Sequence, residues 1–229
     1  MRSTQAVIFD LDDTLYAEKS YTFSGYRAVA KAHHDILGEP DATFRRMCEL
    51  FDSPDRARVF NVLLKETGQN DSPDAITQMV ETFRNHMPTI ELYRDAVEVL
   101  QSLRPDYKLG VISDGFLVAQ RNKVAALQIE SKVDEVILTD ELGREFWKPH
   151  PKAFEHIAQK LRVSHESCVY VADNRAKDFV APNALGWASV YIDRPEGIHR
   201  ANPAPANGIP AHEITTLTEL PKVLSKLTW

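Results

Sequence analysis

Cysteine is scarce in the 229 residues: Cys48 and Cys168 stand far apart, outside any CxxC or Cys/His cluster, which excludes a disulfide framework and a thiolate zinc site. Both are expected to be packed thiols. Glycine and proline are also few, 9 and 13, so collagen-like and low-complexity architectures are excluded. No apolar run approaches the ~18 residues of a membrane span, and the stretch from Met1 to Val7 lacks the apolar core of a signal peptide. The expectation is a cytoplasmic protein, in which Asn70-Asp71-Ser72 is not a glycosylation acceptor. Basic residues are in deficit, 27 Lys and Arg against 33 Asp and Glu for a net charge of −6. Long-range attraction to nucleic acid or to an anionic membrane is therefore not expected, and a small ligand is the expected partner. No Walker loop, G-x-S-x-G elbow or dinucleotide fingerprint occurs. None of these features bears on oligomeric state.

What is present is a chain 43% apolar, enough for a sizeable core. Five short apolar runs recur, Ala6 to Phe9, Leu109 to Ile112, Glu135 to Leu138, Val169 to Ala172 and Ser189 to Ile192. They are short, rich in Val, Ile, Leu and Phe and lack polar alternation, as buried parallel strands do. Helical patterns fall between them, for example Ala96, Val97, Leu100 and Leu103, then Phe154, Ile157, Ala158 and Leu161. An α/β fold with helices on both sheet faces follows.

The first gap is different, because about a hundred residues intervene where one crossover helix needs far fewer. Within it, Tyr26/Val29/Ala30/His33/Ile36/Leu37, Phe44/Met47/Cys48/Phe51, Val59/Phe60/Leu63/Leu64 and Ile76/Met79/Val80/Phe83 predict four amphipathic helices. Two Ser-Pro-Asp triplets, at Ser53 and Ser72, read as helix starts. His33 reads as a satisfied core histidine, and Tyr16, Tyr21 and Arg45 mainly as packing and surface charge. After Asp193 come Pro195, Pro203, Pro205 and Pro210, so the tail is expected to wrap the surface, with a last helical pattern around Leu217 to Leu224.

Chemistry gathers at the carboxyl ends of the runs. The first ends in Asp10-Leu11-Asp12-Asp13-Thr14; a period of two places Asp10 and Asp12 on one side if the strand persists, at the edge where parallel sheets bind ligands. Two anions held together call for a cation, and an all-oxygen environment suits Mg²⁺. The second run ends in Ser113-Asp114-Gly115, whose hydroxyl and backbone amides suit an anion. Lys148, followed by Pro149 at a helix entry, is an unusually fixed ammonium and suits a phosphate. The fourth run ends in Asp173, with Asp178 shortly after. Taken singly, each of these reads equally as a cap or a surface charge.

Together and in this order the residues resemble the haloacid dehalogenase (HAD) superfamily, whose signature runs DxDxT, then Ser or Thr, then Lys, then an acidic pair; the resemblance spans residues 6 to 193. It implies a Rossmann-like parallel sheet core, residues 1–15 and 93–229, with an inserted α-helical cap over 16–92. It further implies a phosphatase in which Asp10 is the nucleophile and Asp12 the general acid and base. Ser113, Asp114 and Lys148 would hold the phosphate, and Asp10, Asp12, Asp173 and, more distantly, Asp178 would hold Mg²⁺. Asp12 would need an upward-tuned pKa and Asp10 would have to stay ionised. Haloacid dehalogenases proper lack the second aspartate, so Asp12 favours phosphate chemistry. The expected activity is hydrolysis of a small phosphomonoester, a sugar phosphate first, through an aspartyl-phosphate. A phosphomutase of the same fold, or a silent phospho-ligand binding protein, is the alternative. The chain departs from the common pattern at Ala172, where glycine is usual, and in the longer approach from Gly143 to Lys148, where Trp147 is expected to anchor the loop.

Overall fold

The computed structural model describes residues 4–69 and 72–227; Asn70 and Asp71 of the sequon lie outside them. The elements in order are β1 (Ala6–Phe9), α1 (Glu18–Ala32), α2 (His34–Leu37), α3 (Pro40–Phe51), α4 (Val59–Glu66), α5 (Pro73–Asn85), α6 (Arg94–Leu103) and β2 (Lys108–Ser113). There follow α7 (Leu117–Ala126), β3 (Glu135–Leu138), α8 (Lys152–Leu161), β4 (Cys168–Ala172), α9 (Val180–Ala184), β5 (Ala188–Ile192), β6 (His212–Ile214) and α10 (Leu220–Leu224). Two compact units result, one from the described parts of Met1–Glu18 and Ile90–Trp229, the other from Lys19–Thr89. Among the described residues no helix is long and apolar enough to cross a membrane.

The first unit is built on a six-stranded sheet, order β3-β2-β1-β4-β5-β6, in which every pairing is parallel. All four residues of β1 and all five of β4 are buried, so both faces are covered, which is why these strands read as unbroken apolar runs. Phe154 and Ile157 of α8 pack with Ile8, Ile112 and Tyr170. The approach is close enough that a Cβ on Gly110 would fall 2.6 Å from Ile157 Cδ1. From β1 the chain winds to β2 and β3 on one side, then returns to β4, β5 and β6 on the other. The strand order therefore reverses beside β1, and the crevice at such a reversal is where parallel sheets take ligands.

β6 was not foreseen in the tail. It has three residues, of which only Ile214 is buried, too little apolar sequence to register; its pairing with β5 (Val190↔His212) holds the proline-rich tail against the sheet edge.

The second unit is helical. The continuous pattern from Tyr26 to Leu37 is split at His33, which leaves helical geometry at φ −117° and ψ 29°. The His33 amide still donates to Val29 and its carbonyl accepts from Leu37 at 2.9 Å, so the apolar phase runs on across the break. The two Ser-Pro-Asp triplets diverge. Ser72 Oγ accepts from the Ala75 amide and starts α5, whereas Ser53 Oγ donates to the Leu50 carbonyl and accepts from the Asp55 amide. The latter closes a turn after α3, and α4 begins only at Val59. Phe23 packs edge-on against Phe44 and Phe51, and Phe60 against Tyr26 and Phe83, an aromatic centre that makes the helical faces mutually dependent.

Candidate active site

Four loops of the first unit, after β1, β2 and β4 and before α8, together with helix α7, bring one set of charged side chains together. The segment beyond β1 does not continue as a strand. Asp13 adopts a left-handed φ of 49°, and its carboxylate accepts from the amides of Glu18 (2.8 Å) and Ile198 (2.7 Å). The turn lies beyond both Asp10 and Asp12, and the two carboxylates take different partners while Asp12 stays near enough to add to the negative field on Asp10.

Asp10 lies with Asp173 and Asp178, three buried carboxylates that each offer an oxygen within 4.8 Å of the other two. Lys148, its side chain fully enclosed, reaches Asp10 Oδ1 at 2.5 Å and Asp178 Oδ1 at 2.8 Å and donates to Tyr170 Oη at 3.0 Å. Burial pushes the Asp10 carboxyl up to about 7, against the opposing pull of Lys148. Burial, then the neighbouring Asp10 and Asp178, drives Asp173 well above the carboxylate range. Lys148 is held well above the usual lysine range because Asp10 and Asp178 outweigh its burial. The donor set is all carboxylate oxygen, and Asp178 Oδ1 is buried and accepts no hydrogen bond among the described residues; its ion pair with Lys148 lacks hydrogen-bond alignment. Such a set fits a small, hard divalent cation. Asp12 is outside the group.

Asp12 is gripped instead by Lys123 of α7, whose Nζ lies 2.7 Å and 2.9 Å from its two oxygens. Tyr16 Oη also donates to it, as does Gln120 Nε2 at 3.2 Å. Burial raises its pKa, but Lys123, Tyr16 and Gln120 together prevail and hold it below the ordinary value. That is opposite to the upward tuning expected of Asp12, because a lysine from another element outweighs the neighbouring acids and the burial.

Ser113, at the end of β2, donates to Gln120 Oε1 at 2.9 Å. Asp114 was assigned to phosphate, yet its carboxylate is committed within the protein. It accepts from Thr139 Oγ1 (2.8 Å), the Lys148 amide (3.1 Å) and Lys177 Nζ (2.8 Å); against its burial, Lys148 and Lys177 hold its pKa low. Its side chain positions two lysines, which leaves the backbone amide of Asp114 as the group that could meet a phosphate, since a carboxylate repels one. Trp147 donates to Asp140 at 3.2 Å and packs edge-on to Phe116, anchoring the loop before Lys148.

Sequence reasoning missed Lys123, Lys177, Gln120, Tyr170 and Asp13. One signal was available. The buried stripe of α7 is Ala119, Gln120, Lys123 and Val124, so two polar side chains occupy positions where a core-facing helix carries apolar ones.

Residues 7–192 match the family model described as haloacid dehalogenase-like hydrolase. The chain is 30% identical over 231 residues to a glyceraldehyde 3-phosphate phosphatase of Methanopyrus kandleri, covering 97% of this chain and 98% of that protein. It is 26% identical to one of the same name from Methanothermobacter thermautotrophicus, over 96% of this chain and 99% of that protein. Among solved structures it resembles the putative HAD-hydrolase YfnB of Bacillus subtilis bound to magnesium, at 18% identity and TM-score 0.68 over 97% and 99% of the two chains. It also resembles a HAD phosphatase from Thermococcus onnurineus, at 25% identity and TM-score 0.62 over 96% and 98%.

Proposed function

The chain belongs to the haloacid dehalogenase-like hydrolases, and from that premise we propose that it is a phosphatase releasing inorganic phosphate from a small phosphorylated sugar through an aspartyl-phosphate on Asp10. The observation that carries this is the convergence of Asp10, Asp173 and Asp178 with Lys148 2.5 Å from Asp10, beside a second acid, Asp12, held by other partners. A binding protein has no use for that second acid.

In this reading an Asp10 oxygen attacks phosphorus and the ester P–O bond breaks, with Asp12 giving the departing oxygen a proton to form the alcohol. Water then attacks the phosphorus of the aspartyl-phosphate, Asp12 takes its proton, and the bond to Asp10 breaks to release phosphate. The pull of Lys123, Tyr16 and Gln120 toward the ionised form of Asp12 suits the second half; the dianionic substrate raises a neighbouring carboxylate's proton affinity, the direction the first half needs. Lys148 and Ser113 hold the phosphoryl oxygens in line with Asp10. Asp10, Asp173 and Asp178 would hold Mg²⁺, which when bound supplies charge that offsets the negative phosphoryl oxygens. The helical unit Lys19–Thr89 acts as the cap that selects the alcohol. Full-length similarity to proteins named glyceraldehyde 3-phosphate phosphatase supports a triose phosphate as the first substrate to try.

The test is phosphate release from a panel of phosphorylated sugars and nucleotides with Mg²⁺ and with EDTA, for wild type and Asp10→Asn. Wild type is expected to act only with Mg²⁺, and the variant to lose activity by several orders of magnitude. Persistent turnover in Asp10→Asn overturns the covalent route.

A further inference from the structure

Building on the phosphatase reading, we propose that Lys123, assisted by Gln120, is a positioning residue that aims the Asp12 carboxylate at the leaving oxygen and ties that aim to the phosphate-holding hydroxyl of Ser113. Lys123 is only 4% exposed, and its ammonium meets both oxygens of Asp12, at 2.7 Å and 2.9 Å. A grip on both oxygens sets the rotation of the carboxylate, which a single contact leaves free. Gln120, one turn earlier on the same helix face, bonds Asp12 Oδ2 through Nε2 (3.2 Å) and accepts from Ser113 Oγ through Oε1 (2.9 Å). One amide thus spans the acid and the hydroxyl. The backbone makes room for it: a Cβ at Gly115, where φ is +138°, would fall 2.4 Å from Gln120 Nε2.

Stability alone does not account for this arrangement. A buried ion pair is commonly no better, and often worse, than apolar side chains of similar volume. α7 nonetheless spends two places on its buried stripe on Gln120 and Lys123. The pair gains geometry at Asp12.

The discriminating measurement is kcat/KM for two esters. It covers only the steps up to the aspartyl-phosphate, in which the ester P–O bond breaks. Glyceraldehyde 3-phosphate is an alkyl ester whose oxygen needs a proton to leave. para-Nitrophenyl phosphate is an aryl ester whose oxide leaves as a stable anion. Lys123→Met is expected to lower kcat/KM for the alkyl ester roughly ten- to a hundredfold more than for the aryl ester, and Lys123→Arg to recover part of the difference. Gln120→Met, which keeps the ammonium, is expected to shift the ratio the same way by less; it decides the matter if Lys123→Met fails to give a cooperative melt. Equal losses on both esters in the folded variants overturn the positioning role. A wild type that releases phosphate from neither ester would instead refute the phosphatase reading on which the proposal stands.

Discussion

At the scale of single residues the site is a problem of charge. Asp10, Asp173 and Asp178 crowd three carboxylates together, while Lys148 makes ion pairs with Asp10 and Asp178. Asp173 is the acid left without that ammonium at pairing distance, so exchanging its carboxyl for an amide removes a group that folding must either protonate or hold against repulsion, and leaves the two pairs intact. Asp173→Asn is expected to raise Tm in EDTA by about 2–4 °C, the shift that ~1 kcal/mol produces in a chain of this size. Mg²⁺ is expected to raise the Tm of wild type, by up to ~2.7 kcal/mol of stability at a hundred times its Kd, and to leave that of the variant nearly unchanged. Calorimetry with and without Mg²⁺ reads both; a lower Tm for the variant in EDTA contradicts the account. The acids and Lys148 were legible in the sequence because each terminates or follows an apolar run. Lys123 and Lys177 were not, because nothing in the order of residues along a helix says which acid across the fold its inner face will meet.

At the scale of elements, burial on both faces made five of the strands readable, and short amphipathic β6 escaped for the same reason in reverse. The break at His33 preserves the apolar phase, so periodicity is blind to it, and the identical triplets at Ser53 and Ser72 part ways because only one is followed directly by a helix. The start of α6 holds the tail by a device that no pattern reveals. Asp95 accepts from Arg194 through both oxygens (2.7 and 3.0 Å), from Thr216 Oγ1 (2.9 Å) and from the Leu217 amide (2.8 Å), while Arg194 also donates to the Thr14 carbonyl at 2.9 Å. Burial opposes ionisation of Asp95, but Arg194 and the Leu217 amide outweigh it and lower its pKa. A carboxyl whose pKa is depressed on folding stabilises the native state above its unfolded value of ~3.9 and loses that contribution as pH falls through the folded value. Asp95→Asn is therefore expected to cost about 1–3 kcal/mol at pH 7, with a gap from wild type that narrows as the pH drops below 4. Urea melts at several pH values read the gap, and one that widens in acid contradicts the sign.

At the scale of the whole molecule, the question is what the first unit needs from the second in order to fold. Its own chain closes where the insertion leaves it. Tyr16 and Leu92 form an antiparallel bridge, and the Tyr93 amide donates to the Leu15 carbonyl at 2.9 Å. All of the candidate site, from Asp10 to Asp178, belongs to that unit. Because the ends meet, replacing residues 19–89 with a short Gly/Ser linker adds little loop-closure entropy, which grows only slowly with length. The shortened protein is expected to melt cooperatively and to retain slow, Mg²⁺-dependent release of phosphate from para-nitrophenyl phosphate. If the helical unit chooses the alcohol, discrimination between a triose phosphate and bulkier esters is lost with it, and their kcat/KM values should come within about tenfold of one another, the span a few missing pocket contacts produce. Unaltered discrimination in a folded deletion variant would move substrate choice into the sheet's own loops and remove the cap role from Lys19–Thr89.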